Sequence, residues 1–256
     1  MILQKKFYER ETVIVAKQLL GKTLTRKIRG RKLTGIITET EAYRGNDDPA
    51  SHAAVKMTPR NKVMFGQVGV SYVYFTYGMY FMLNVVAKSK KQNAGAILIR
   101  GMYPQNGIEI MKKNRGVNET QNISNGPGKL TIALGITMKH HNKDLTDNSE
   151  LYISDGIKPK KINQKSRIGI SKGIEKQWNF SINIKDYFSS SSSSNVQGTN
   201  RPKTRLQSNR SKISTTAVIP APNPIIPINI GVGSCISSTE YMPKLSKIGS
   251  ITGPLT

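Results

Sequence analysis

The hydrophobic pattern changes period several times before residue 188 and then stops. Between Glu11 and Leu20, Val13, Val15, Ala16, Leu19 and Leu20 fall near helical spacing and Gly21 supplies a stop, which predicts a helix. Thr23–Ile28 and Leu33–Tyr43 are strand-like runs on either side of Arg29-Gly30-Arg31, the pattern of an antiparallel hairpin. Val70–Thr76 and Met79–Ala87 predict a second hairpin, turning near Tyr77-Gly78. Ala96–Arg100 and Leu151–Ser154 are predicted as short strands. Ile108–Lys113 and Leu130–Leu134 are predicted as helices, the second opened by Gly126-Pro-Gly-Lys129. Hairpins with segregated helices, rather than alternating strand and helix, give an α+β class.

After Phe188 come six serines, Ser189–Ser194, and then Asn, Gln, Gly, Pro, Lys and Arg without periodicity. Pro220, Pro224 and Pro227 argue against a regular element in Ile219–Ile230. The expected organisation is therefore a single domain over 1–188 and a basic, Ser-rich disordered tail over 189–256. A body of that length buries roughly 70% of its unfolded surface, enough to fold alone.

Composition adds a strong bias. Across 256 residues, 39 Lys and Arg face 15 Asp and Glu, a net charge of +24, of which +6 falls in the tail and +18 in the body. Such an excess attracts polyanions, nucleic acid ahead of an anionic membrane surface or a ribosome. The single Cys235 excludes an internal disulfide framework and a Cys-based zinc site, and fits a reducing interior. The N-terminus has no apolar core of signal-peptide length. The most apolar run, Tyr72–Ala87, is too short for a membrane span and carries Asn84, so a soluble intracellular protein is expected.

Candidate chemistry gathers between Ile36 and Arg100. On a strand, i and i+2 share a face, so Glu39 and Glu41 continue the face of Leu33, Gly35 and Ile37. An apolar face ending in two carboxylates and Tyr43 describes a core running into a cleft, where a carboxylate suits general-base work. The rival is a solvated strand end with ordinary salt bridges, and periodicity does not choose between Glu39 and Glu41. His52 follows a loop of turn residues and could meet a phosphate or a base. His140-His141, in a polar stretch without acidic or Cys partners at ligand spacing, is expected at the surface and makes a poor metal site. Most of the Tyr72–Phe81 aromatics belong to a hairpin packed on the core. Tyr77 beside Gly78 is a candidate wedge between stacked bases. Thr58-Pro-Arg-Asn61 and Gly126-Pro-Gly-Lys129 offer Arg60 and Lys129 to a backbone phosphate, the latter at a helix start.

These residues carry a resemblance. Glu39-Thr-Glu-Ala-Tyr43, Ala50-Ser-His52, Met57-Thr-Pro-Arg-Asn61, Val73–Asn84, Ile97-Leu-Ile-Arg100 and Gly126-Pro-Gly-Lys-Leu130 stand in family order across about Phe7 to Phe180. The chain resembles the alkyladenine (3-methyladenine) DNA glycosylases of the mammalian alkyladenine type. The resemblance implies one mixed α+β domain with a curved antiparallel sheet, a protruding hairpin and surrounding helices. It implies a monofunctional, monomeric enzyme that flips damaged purines out of double-stranded DNA and cuts the N-glycosidic bond, with no metal or cofactor. In it Glu41 is the general base, Tyr43, His52 and Tyr74 wall the base pocket, and Asn84 closes the pocket against wrong exocyclic groups. Tyr77 fills the gap in the duplex, flanked by Met79, and Arg100 contacts DNA. Such work places the protein at the nucleoid or in a nucleus. The chain departs from the resemblance at its end. Arg167-Ile-Gly169 and Gln177-Trp-Asn-Phe180 survive, but Gln177 and Asn179 stand where the family run has Pro and Arg, and Ser181 onward loses the pattern. A catalytically inactive DNA-binding relative with a degraded C-terminus is therefore the alternative.

Overall fold

The run from Arg31 to Arg44 forms one 14-residue strand on which the rest is assembled. The structure, a computed structural model, describes residues 1–188, so the tail expected over 189–256 lies outside the described residues. The elements are α1 (Lys5–Tyr8), α2 (Thr12–Leu19), β1 (Thr23–Ile28), β2 (Arg31–Arg44), β3 (Ser71–Thr76), β4 (Tyr80–Val86), β5 (Gly95–Asn106), α3 (Ile108–Arg115), α4 (Pro127–Leu134), β6 (Leu151–Ser154), β7 (Asn163–Lys165), β8 (Asn179–Ser181) and α5 (Lys185–Phe188). This is the expected α+β class, built on a curled antiparallel sheet.

The sheet order is β3-β4-β5-β2-β1-β6, with β7 on β8 and β8 on β2. One edge of β2 pairs with β5 from Thr34 to Arg44. Its other edge is shared: β1 takes Arg31–Ile36 and β8 takes Glu39–Glu41. Pairing on both edges and cover on both faces explain why Leu33–Ile37 are all buried rather than alternating. Thr40 faces α2, its hydroxyl donating to the Ala16 carbonyl at 2.9 Å. The core joins Val15, Ala16 and Leu19 of α2 to Leu24, Leu33, Ile37, Leu83, Ile97 and Ile99 of the sheet and to Leu130 and Leu134 of α4.

Both predicted hairpins form. β1 and β2 turn through Arg29-Gly30, with φ of 48° and 76°. β3 and β4 turn through Tyr77-Gly78, with φ of 53° and 67°, closed by a Met79 N–H to Thr76 carbonyl bond at 3.2 Å. Two successive left-handed residues match the twist of the flanking strands. Glycine adopts that geometry freely, whereas tyrosine is strained in it. Next to the turn of this hairpin the Tyr80 ring lies against Gly128, where an added Cβ would sit 3.0 Å from the ring, so the hairpin and the start of α4 pack closely.

Three expectations need correction. β5 extends six residues beyond Arg100, because Gly101 and Pro104 look like breakers in sequence yet Pro104 pairs with Gly35 beside a register shift, where a proline is tolerated. Asn179–Ser181, for which no strand was expected, forms β8, and its Phe180 is fully buried. His140 and His141 are not a surface pair. His140 is buried, its Nδ1 accepting the Thr137 N–H at 3.0 Å, and His141 Nδ1 lies 2.8 Å from the Val73 carbonyl. The polar segment that carries them follows the free edge of β3, with Asn142 N–H on the Ser71 carbonyl and Ser71 N–H on the Lys143 carbonyl, both 2.8 Å. It covers a strand edge that would otherwise be open.

Candidate active site

A cavity of about 360 Å³ opens between the β3–β4 hairpin, the first half of β5, the start of α4 and the segment Ile168–Ile170. That size lies within the range of small-molecule sites. Tyr43, His52, Tyr74, Tyr77, Asn84 and Arg100 all line it, together with Tyr72, Met82 and Ile168. Six candidates drawn from four separate stretches of chain thus meet around one cavity.

The hairpin side is aromatic. Tyr72 and Tyr74 project from the same face of β3, their ring centroids 5.2 Å apart, and His52 packs edge-on to Tyr74 at 4.8 Å. His52 Nδ1 lies 2.8 Å from the Tyr72 hydroxyl. Removal from water, with the nearby Arg60 second, lowers the His52 pKa from its ordinary 6.5, which favours the neutral ring. The same desolvation pushes Tyr74 up to about 12, and raises Tyr43 and Tyr72 as well, so the phenols are donors at neutral pH. Asn84 is buried and directly opposite Tyr72 in the ladder, its amide donating to the Tyr72 carbonyl at 3.0 Å. Tyr77 at the tip is 78% exposed and Met79 62% exposed.

The opposite side is built around a carboxylate. Glu41 is 0% exposed and sits behind the cavity wall rather than in it. Its Oε2 accepts from the Tyr43 hydroxyl at 2.9 Å and from Arg100 Nη1 at 3.4 Å. Its Oε1 accepts from the Ile168 N–H at 2.7 Å and from Asn179 Nδ2 at 2.9 Å. Glu39 is held less tightly, partly exposed, by Arg100 Nε at 3.3 Å and Asn179 Nδ2 at 2.9 Å. This distinguishes the two carboxylates that periodicity leaves equal.

Arg100 owes its position to a bulge. Pairing steps from Glu39 with Gly101 to Thr40 with Ile99, which leaves Arg100 as the extra residue on β5, and Thr38 is the extra residue on β2 one step earlier. Bulges re-aim side chains in this way. Arg100 therefore lies against two carboxylates rather than out on the surface. Arg60 is exposed and stacks over the Tyr74 ring at 4.9 Å, at the rim of the cavity. Lys129 is exposed on the first turn of α4, held 2.9 Å from Asn125 Oδ1, and does not line the cavity.

Residues 6–186 match the methylpurine-DNA glycosylase family. The chain belongs to that family. It is 47% identical over 189 residues to a protein of Prosthecochloris aestuarii provisionally named a 3-methyladenine DNA glycosylase, covering 73% of this chain and 90% of that one. Relatives with the same provisional name are found in Ehrlichia chaffeensis, 47% identical over 188 residues, and in Methanocella arvoryzae, 44% identical over 183. These cover 71% and 70% of this chain and 93% and 91% of their own lengths.

In this methylpurine-DNA glycosylase homologue, sequence reasoning missed the support behind Glu41. Arg167 and Asp48 are both 0% exposed and form a bidentate pair, Nη1 to Oδ2 at 2.6 Å and Nη2 to Oδ1 at 2.7 Å. Asp48 Oδ2 also accepts the Arg44 N–H, and Arg167 Nη1 also donates to the Ala42 carbonyl at 2.9 Å. The Arg167 guanidinium packs over Tyr43 at 4.7 Å and Trp178 at 5.2 Å. This anchors the segment whose next residue, Ile168, caps Glu41. The partners are 119 positions apart, so no local pattern could have paired them. Asn179 was visible only as a departure from the family run. Among the described residues, no group of three or more His, Cys, Asp or Glu is placed to hold a metal ion, and no helix is long and apolar enough to cross a membrane.

Proposed function

We propose that this chain is a DNA glycosylase of the mammalian alkyladenine type, acting as a monomer on intracellular double-stranded DNA that carries alkylated or deaminated purines. The observation that carries the reading is a buried, four-fold bonded carboxylate set directly behind an aromatic cavity, in a member of the methylpurine-DNA glycosylase family.

The damaged base leaves the stack, at a few kcal/mol, least for a lesion that pairs poorly. It enters between His52, Tyr43 and Tyr74, where tyrosine faces favour a purine made cationic by alkylation. Tyr77 occupies the vacated place in the duplex with Met79 beside it, and Asn84 tests the edge of the base. Arg60 and Lys129 hold phosphates. A carboxylate offers about four acceptor sites, and four donors already occupy those of Glu41. The attacking water therefore takes the site on Oε2 held by the longest contact, that of Arg100 at 3.4 Å. Glu41 accepts one proton of that water as the water oxygen bonds C1′. The C1′–N bond breaks with its electron pair on the departing base, leaving an abasic site. In this reading residues 1–188 carry the reaction, and the basic stretch 189–256 adds non-specific attraction to DNA.

The test is base release from a duplex with a single hypoxanthine, and from methylated DNA, by wild type beside Glu41→Gln. Abasic sites from wild type alone support the reading. Binding without release by either protein would instead identify an inactive DNA-binding relative.

A further inference from the structure

We propose that Asn179 is a positioning residue for Glu41, an inference that rests on the reading of Glu41 as the base. Asn179 is fully buried on β8 and stands directly opposite Glu41 in the ladder. Its single amide nitrogen reaches Glu41 Oε1 and Glu39 Oε1, both at 2.9 Å, so both N–H bonds are committed to carboxylates. Its Oδ1 is buried with no hydrogen-bond partner, which identifies the donors as the part of the side chain that the site uses. A buried acceptor left unpaired costs free energy, and the two charge-assisted bonds offset it.

The two oxygens of Glu41 are not equivalent. Oε2 meets Tyr43 and Arg100, which line the cavity. Oε1 meets the Ile168 N–H, from a residue that also lines the cavity, and Asn179, which does not. Asn179 thus holds Oε1 from outside the cavity lining and leaves Oε2, between the cavity-lining Tyr43 and Arg100, to the water. It also ties Glu39 to Glu41, two like charges two residues apart on one strand, which Arg100 alone would have to bridge. Its N–H group bonds the carboxylate directly, and a clip on one oxygen fixes the direction of the other. Neither action touches the reacting atoms.

The experiment compares pH profiles of single-turnover base release by wild type, Asn179→Leu, Asn179→Asp and Glu41→Gln, with lesion-duplex binding measured alongside. Loss of both donors in Asn179→Leu lowers the rate about tenfold, the scale of donors to a charged group, with binding unchanged. The acid limb of the profile moves to higher pH, because the charged form has lost support. Asn179→Asp keeps the size of the side chain and adds a third carboxylate, so its acid limb moves further in the same direction. That second variant decides the matter should the leucine variant fold poorly. A role in folding alone would lower the active fraction without moving the limb. An unmoved limb in Asn179→Asp, with Glu41→Gln inactive, overturns the inference and leaves the base assignment standing. Full activity in Glu41→Gln overturns both.

Discussion

The two walls of the cavity are built in opposite ways. The carboxylate wall lies on β2, paired on both edges, and every donor around Glu41 is fixed by strand register, by a bulge or by the buried Arg167–Asp48 pair. The aromatic wall lies on a hairpin that ends in an exposed tyrosine in a left-handed conformation. A group that must hold a proton acceptor in one direction gains from an over-determined setting. A group that enters a duplex, the role proposed for Tyr77, has to stand clear of the protein, and the strain at Tyr77 is the kind of local cost that persists where function requires it. Rigidity and exposure are thus divided between two strands pairs of one sheet.

Substitutions on the rigid wall should have the largest effects, and they should separate chemistry from folding. With Glu41 in its proposed role, Glu41→Gln keeps the volume and removes the general base, so base release falls by about 10²–10⁴-fold, the usual contribution of such a group. Lesion binding stays within a small factor, as gel-shift or anisotropy titration would show; a rate near wild type would remove Glu41 from the mechanism. Arg167→Leu leaves Asp48 buried and unpaired and destabilises folding by about 3–5 kcal/mol. Denaturant unfolding would read that loss directly, and a change below about 1 kcal/mol would mean the pair is not what anchors the Ile168 segment.

The contrast between the walls also explains what was legible in the chain. The aromatic wall was readable because a hairpin is a local object: Tyr72, Tyr74, Tyr77 and Asn84 fall within one two-strand pattern, and Tyr77-Gly78 announces its own turn. The α+β class followed from the same local periods. The carboxylate wall was only half readable. Alternation put Glu39 and Glu41 on one face, but their difference depends on Arg100, Asn179 and Ile168, which reach them across 59 to 140 positions. β8 escaped notice because three residues with one buried aromatic carry too little periodicity to count as a strand. The buried His140 escaped because its segment is polar in composition while its backbone closes an edge of the sheet.

On the exposed wall, Tyr77→Gly should weaken DNA handling while sparing the fold. The substitution removes about 1–2 kcal/mol of left-handed strain and adds about 0.5–1 kcal/mol of glycine entropy cost, so stability is unchanged or rises by up to about 1.5 kcal/mol. On the proposed role of Tyr77, loss of the ring leaves the vacated stack unfilled, and base release from intact duplex falls by about tenfold, part of the few kcal/mol of unstacking. The deficit should shrink when the lesion is presented in single-stranded DNA, where there is little stacking to replace. An equal deficit in both substrates would assign Tyr77 to general DNA affinity instead.

The smallest effect expected is a proton equilibrium at the junction of the two styles. His52 has an exposed edge, yet its pKa is lowered, first by removal from water and then by Arg60. Arg60→Gln removes the second cause, so the His52 midpoint in an NMR titration should rise toward the ordinary 6.5 without reaching it. The consequence for stability has a definite sign. The unfolded chain takes up a proton near 6.5, whereas the folded chain resists it until a lower pH, so acidification from 6.5 down to the folded midpoint favours unfolding and pH above 6.5 has no such effect. Arg60→Gln narrows that window and should flatten the acid side of the stability profile. Because Arg60 also stacks on Tyr74, the same substitution tests whether the rim cation acts through charge or through packing. A raised midpoint with unchanged base release ties Arg60 to His52 by charge, and an unmoved midpoint places the whole shift in desolvation and leaves the ring stack as its link to the pocket.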